Sequence, residues 1–162
     1  MQSHNTHRLA IKNCRLLLLL VLLIVLPKVS RAQLMIVGID EKVHWDTSGS
    51  TVFSKPGNDL VSIIDIGTDA ENPKIVTELP LTNSVFGPPT NLAITPDASL
   101  AIVANAMAWT HDGTKWEANP DNRIHLIQLD ATPPKPIGTV QVGKQPSGLS
   151  INREGNLALV AN

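Results

Sequence analysis

Beyond residue 32, apolar residues come in short runs of Ile, Val, Leu and Ala, each closed off by Pro, Gly, Asn or Asp. Runs of this kind, rich in β-branched residues and bounded by turn formers, predict strands. No stretch in this part of the chain keeps the period of an amphipathic helix. Four kinds of run return in a fixed order: C (residues 61–66 and 124–129), D (75–81 and 136–142), A (91–95 and 148–152) and B (100–105 and 157–162). Run B is apolar at every position from Leu100 to Ala104. A strand with one wet face would alternate, so B is expected to be covered on both faces. Run C carries a polar residue, Asp65 or Gln128, as suits a strand nearer the rim. A and B are joined by Pro96-Asp97-Ala98 in one copy and by Arg153-Glu154-Gly155 in the other. Both compositions suit a tight reversal, and hence antiparallel neighbours. The expected class is all-β, with antiparallel strands ordered C-D-A-B-C-D-A-B over residues 58–162.

The A–B units repeat in sequence as well as in pattern. Residues 89–105 and 146–162 align without a gap at an offset of 57, with eight of seventeen positions identical. A repeat of short strands at such a period predicts the four-stranded blades of a β-propeller or a comparable stacked unit. About two blades are expected, and the array is incomplete, since the second copy of B ends at Asn162. Residues 33–57 read as a lead-in loop with no clear A or B before the first C and D. A chain of this make-up is expected to aggregate by itself, or to belong to a longer product, because a cut array exposes an apolar face and a strand edge.

Alternate connections of a meander lie at opposite ends of the sheet. The D–A connections (82–89 and 143–146) therefore share an end with the B–C connection (106–121), which reads as the longest loop. Loops of that length in a compact domain are functional or disordered. This one contains Trp109, His111, Asp112, Trp116 and Asp121.

The order of proline, short apolar strand, Pro-Asp and a strand ending Val-Ala-Asn resembles the YVTN β-propeller repeat. The residues that carry it are Pro89, Leu92, Ile94, Pro96, Asp97, Val103, Ala104 and Asn105, with Ile64-Asp65 and Val142-Gly143 before Pro146. The resemblance spans roughly residues 58–162 and implies membership of the lactonase-like, seven-bladed propellers of exported bacterial proteins. It departs from the repeat at Asn152-Arg153-Glu154-Gly155, where Pro-Asp is replaced, and at Gln128, where an aspartate would stand. No lactonase catalytic set can be carried onto these residues, so the resemblance speaks to architecture rather than activity.

The N-terminus adds a destination. Arg8, Lys12 and Arg15 precede eleven apolar residues (16–26), Pro27, and Ser30-Arg31-Ala32. This is the pattern of a signal peptide cleaved before Gln33, so the product is expected in the periplasm or outside the cell, touching a membrane only through that signal. Cys14, the single cysteine, lies within it, which leaves residues 33–162 without disulfide or thiol chemistry. Five of the thirteen Lys and Arg residues also lie there, whereas all fourteen Asp and Glu follow it. The acidic remainder, with no basic cluster, argues against a nucleic-acid partner.

The candidate chemistry is sparse. His111-Asp112 could supply a base and an acid, although Asp112-Gly113 is a common turn pair. His44, in His44-Trp45-Asp46, could reach a central opening, but a single histidine with one acid lacks the spacing of a metal site. Trp109 and Trp116 suit an aromatic platform for a sugar or other flat apolar ligand, or else pin the long loop. Asp112, Glu117 and Asp121 do not have the spacing of a twelve-residue calcium loop. No metal, no cofactor and no identified catalytic residue are expected; His125 reads as a surface strand residue. The function expected is a scaffold binding a small molecule or a protein on its loop face through Trp109, His111, Asp112, Trp116, Asp121 and His44. The alternative is a lactonase-like hydrolase acting at a central channel.

Overall fold

The structure, a computed structural model, describes residues 33–162 except Phe86. The expected export segment, residues 1–32, lies outside the described residues. The fold is all-β, and its strand pairs are antiparallel. One sheet contains β1 (Leu34–Ile39), β4 (Leu60–Asp65) and β5 (Lys74–Leu79), in the order β1-β4-β5. A four-stranded meander follows, formed by β6 (Leu92–Ile94), β7 (Leu100–His111), β8 (Trp116–Gln128) and β9 (Lys135–Gln141). Two small hairpins complete the set: β2 (Val43–Trp45) with β3 (Thr51–Phe53), and β10 (Gly148–Ile151) with β11 (Ala158–Ala161).

Residues 33–57 are not a lead-in loop; they hold three strands. β1 occupies, beside β4, the place that β7 occupies beside β8. Leu34 pairs with Asp65 as Leu100 pairs with Gln128, and Gly38 with Val61 as Ala104 with Ile124. The first C strand therefore finds its B neighbour upstream, in β1. The cue was present: Leu34, Ile36 and Val37 match Leu100, Ile102 and Val103 in order, followed in each case by a small residue.

Residues 106–121 also differ from the expected loop. β7 and β8 continue past a register shift at Asn105/Met107 and pair as far as His111 opposite Trp116. Paired as a ribbon, the segment satisfies its own backbone N–H and C=O groups, sparing them the cost of an unpaired excursion.

Alternation along β7 explains the packing. Ala101 and Val103 enter one core with Val61, Ile63, Leu79, Ile127 and Leu129. Ile102 and Ala104, on the opposite face, enter another with Ile124, against which Leu149, Ile151 and Val160 pack. β7 is thus covered on both sides, as its unbroken apolar run requires, while β9, at the edge of the same sheet, is exposed throughout. Burying each large aliphatic side chain contributes about 1.5–3 kcal/mol. The outermost sheet lacks such cover: Leu159 stands 57 positions after Ile102 in the repeat, yet it is 67% exposed where Ile102 is 5%.

The connection after β5 ties the sheets together at one end. Asn83 donates from Nδ2 to the carbonyls of Ile39, Leu60 and Leu81, at 3.2, 3.0 and 3.0 Å. Asn91 donates to Asn83 O and Ala104 O, both at 2.9 Å. Asn105 accepts the Ser84 N–H at 2.9 Å and donates to Met107 O and to Asp121 Oδ2. These amides satisfy backbone groups that the sheets leave unpaired where the chain passes from one to the next.

Candidate functional site

Two hairpins project from this tied end, β2–β3 and the outer half of β7–β8. Their tips are built alike. Asp46 Oδ1 accepts from Ser48 N and Ser50 N, both at 2.9 Å, and from Ser48 Oγ at 2.6 Å. Asp112 Oδ1 accepts from Thr114 N and Lys115 N, both at 2.8 Å, and from Thr114 Oγ1 at 2.7 Å. Gly49 and Gly113 complete the reversals with φ of 80° and 99°, a region that disfavours a side chain. The Lys115 N–H, the Thr114 hydroxyl and the Thr114 N–H hold the Asp112 carboxyl down at about 2. That makes it a poor proton acceptor near neutrality; its geometry is that of a turn cap.

Strand alternation gives each hairpin an aromatic face. Trp45 and Phe53 share one side of β2–β3, because Val43 pairs with Phe53 and Trp45 with Thr51. Trp109, His111, Trp116 and Ala118 share one side of β7–β8. The two sides meet where Phe53 packs on Trp109, with ring centroids 4.8 Å apart and planes tilted by 53°. Nearer the second tip, His111 lies on Trp116 at 4.9 Å and 50°. Trp45 is 69% exposed and Phe53 39%. The other side of the second hairpin is polar: Asn119 Nδ2 donates to Thr110 Oγ1 at 2.7 Å, and Lys115 pairs with Glu117 at 2.9 Å.

The structure thus gathers Trp109, His111 and Trp116 from the expected set and adds Trp45 and Phe53, which sequence reasoning had not selected. The shared motif of a ring residue followed by a capping aspartate, Trp45-Asp46 and His111-Asp112, was the signal that could have paired them. His44 points to the other side of its hairpin, toward Ser54 Oγ at 3.3 Å. Asp121 sits at the base of the second hairpin, held by Asn105 and, at 2.6 Å, by Arg123 Nε. Burial raises the Asp121 pKa, but the Asn105 amide, the Asn122 N–H and Arg123 outweigh it, and the carboxyl lies below its ordinary value. Trp109 also donates from Nε1 to Ser84 Oγ at 3.4 Å, which fixes its ring against the connection. Among the described residues no three His, Cys, Asp or Glu side chains converge in a way that could hold a metal ion. A shallow apolar cleft of about 220 Å³ lies at the opposite end, between Leu34, Val76, Leu129 and Pro133–Pro134, and none of the expected site residues lines it.

His125 is not a surface residue. It is 7% exposed, with Thr82 Oγ1 3.3 Å from Nε2 and Thr139 Oγ1 3.4 Å from Nδ1. Its strand lies between β7 and β9, with Thr82 of the connection after β5 beside the ring, a placement that sequence alternation alone did not reveal. Burial, and next the Arg123 cation, push its pKa below the ordinary value, against a smaller opposing pull from Asp121. The unfolded chain takes this proton near pH 6.5, the folded chain only below that. Stability is therefore complete above about pH 6.5 and is lost as pH falls through the folded value. His125→Gln is expected to flatten the dependence of Tm on pH across this window, measured by thermal unfolding; an unchanged slope would assign the dependence elsewhere.

Comparison of the chain with protein-family models, with curated protein sequences and with solved structures gave no match.

Proposed function

We propose that this chain is part of an exported β-propeller that serves as a binding scaffold, and that its ligand surface is the end from which the two hairpins project. The observation that carries the binding reading is the meeting of two aromatic hairpin faces at Phe53 and Trp109, with Trp45 left 69% exposed. Large exposed aromatic surface beside a fixed scaffold marks a place of interaction more often than a place of packing. The propeller reading rests on the resemblance to the YVTN repeat and on three supporting features. The sheet β6-β7-β8-β9 is a four-stranded antiparallel meander, β1-β4-β5 repeats its B-C-D register, and β10-β11 repeats its A-B register. The two A strands lie side by side, with a parallel bridge between Thr90 and Gly148, as strands lining a common axis would. Export follows from residues 1–32 as read above.

The test uses a property of the sequence. The chain has three tryptophans, and all of them, Trp45, Trp109 and Trp116, lie on these two hairpins. Intrinsic fluorescence therefore reports on this surface directly. Titration of the full chain with neutral oligosaccharides, choline and planar heteroaromatics is expected to shift the emission for at least one class. Trp45→Ala is expected to weaken that binding about tenfold, equivalent to about 1.4 kcal/mol. No shift with any class would reject the hairpin end as a ligand surface.

A further inference from the structure

The geometry points to a neutral oligosaccharide as the ligand of the paired aromatic faces, an assignment that rests on the binding reading above and narrows it to one chemistry. A pyranose ring presents an apolar C–H face rimmed by hydroxyls. It is matched by exposed aromatic rings flanked by uncharged hydrogen-bonding groups. The hairpins offer that combination. Trp45 (69% exposed) and Phe53 (39%) lie on one side of the first hairpin. Where Phe53 packs on Trp109, that side meets the side of the second hairpin that carries the half-buried Trp109 and Trp116. Thr51 shares the face of Trp45, and the exposed His111 imidazole that of Trp116.

Charge separates this ligand from the other classes that aromatic rings attract. An anionic ligand needs an unpaired cation among the rings, but β2–β3 and the outer half of β7–β8 carry no Lys or Arg on their paired strands. Lys55 lies beyond the end of β3, and the lysine of the second tip, Lys115, is paired with Glu117 at 2.9 Å. Glu117 itself lies on the polar side of the hairpin, as the partner of Thr110. A quaternary ammonium ion is best held by rings boxed around one point with a carboxylate near them. Here the rings are strung along two hairpins instead. The tip carboxylates Asp46 and Asp112 are turned into their own loops, each accepting backbone N–H groups. A planar heteroaromatic favours a slot between parallel rings, whereas the observed ring pairs are tilted by 53° and 50°. The aromatic surface also runs from Trp45 on one hairpin through Phe53 and Trp109 to Trp116 on the other, which suits several linked sugar units better than one.

The experiment is isothermal titration of the full chain with cellohexaose, xylohexaose and chitohexaose, with choline and indole as competing chemistries. At least one hexasaccharide is expected to bind. Trp45→Ala and Trp116→Ala are each expected to weaken it about tenfold or more, and Asn119→Ala, on the polar side, to leave it unchanged. Circular dichroism of each variant separates lost binding from lost fold; should Trp116→Ala unfold, Trp45→Ala carries the comparison, since that side chain is 69% exposed. Binding of choline or indole with none of the saccharides would overturn the sugar assignment while leaving the ligand surface standing. Saccharide binding equal in wild type, Trp45→Ala and Asn119→Ala would overturn the placement on these rings. No binding by any probe would overturn both.

Discussion

Lys42→Ala is expected to cost about 3–5 kcal/mol of folding stability, a large share of the 5–15 kcal/mol typical of a domain. Lys42 is 1% exposed, and its ammonium group is enclosed by Asp59, itself buried, and by Asp40 at 3.1 Å. Burial raises the Asp59 carboxyl pKa above its ordinary value, against the opposing pull of the Lys42 hydrogen bond and charge and a smaller one from the Glu41 N–H. Removing the lysine leaves a buried carboxylate without its counter-charge, so Asp59 in the variant must either stay ionised at high cost or take up a proton. The unfolded carboxyl ionises near pH 3.9. The variant's deficit is therefore expected to be small below about pH 4, where the group is protonated in both states, and to grow as pH rises above it. Urea unfolding of wild type and variant at pH 3.5 and pH 7 checks both the size and the sign. The double variant Lys42→Met, Asp59→Leu is expected to recover much of the loss, because exchanging a whole buried pair for apolar groups is close to neutral. A single variant as stable as wild type at pH 7 would mean that the pair opens to water.

Asn105→Ala is expected to cost about 2–4 kcal/mol, since it strips partners from several buried groups at once. Asn105 is fully buried; its Oδ1 is the acceptor for Ser84 N–H, and its Nδ2 serves Met107 O and Asp121 Oδ2. It therefore joins the connection after β5 to the base of the second hairpin. Asn105→Asp is expected to be worse at neutral pH, because a second carboxylate would face Asp121 at hydrogen-bonding distance. Equilibrium unfolding gives the cost. Amide exchange at Ser84 and Ala106 shows whether the junction opens first, since Ala106 N donates to Ser84 O at 2.7 Å. In the second copy of the repeat Asn162 packs closely on Gly143, where an added Cβ would come within 2.7 Å of its Cγ. Equal stability of Asn105→Ala and wild type would show that water replaces these bonds.

The strands were largely legible. Runs C, D, A and B correspond to β4, β5, β6 and the first half of β7, then to the inner half of β8, β9, β10 and β11. The apolar run 100–104 was rightly read as covered on both faces. Reading failed where strands are short or polar. β2 and β3 have three residues each, too few to show a period, and the outer part of β8 passes through Glu117, Asn119 and Pro120. β1 was obscured by its position shortly after the apolar run 16–26, which the sequence reading assigned to an expected export signal.

The site was only half legible. Trp109, His111 and Trp116 were selected for their density in one segment, and their segment does lie at the expected end. Trp45 and Phe53 were not selected, because what brings their hairpin into the candidate site is the contact of Phe53 with Trp109 on another hairpin. His44, Asp112 and Asp121 were selected as ionisable groups, but hydrogen bonding has committed the two aspartates to the tip and the base of a hairpin.

Hydrophobic patterning, turn composition and the repeated runs by themselves determined that this chain forms antiparallel sheets and that residues 100–104 are covered on both faces. These are local properties, set by the two-residue period of a strand and by the backbone preferences of Pro, Gly, Asn and Asp. Only the tertiary structure decided which strands share a sheet, that His125 and Lys42 are buried, and that aromatic residues 56 positions apart, Phe53 and Trp109, touch. Such contacts depend on register and on the packing of one sheet against the next, and the identity of a residue carries no record of the distant neighbour it meets.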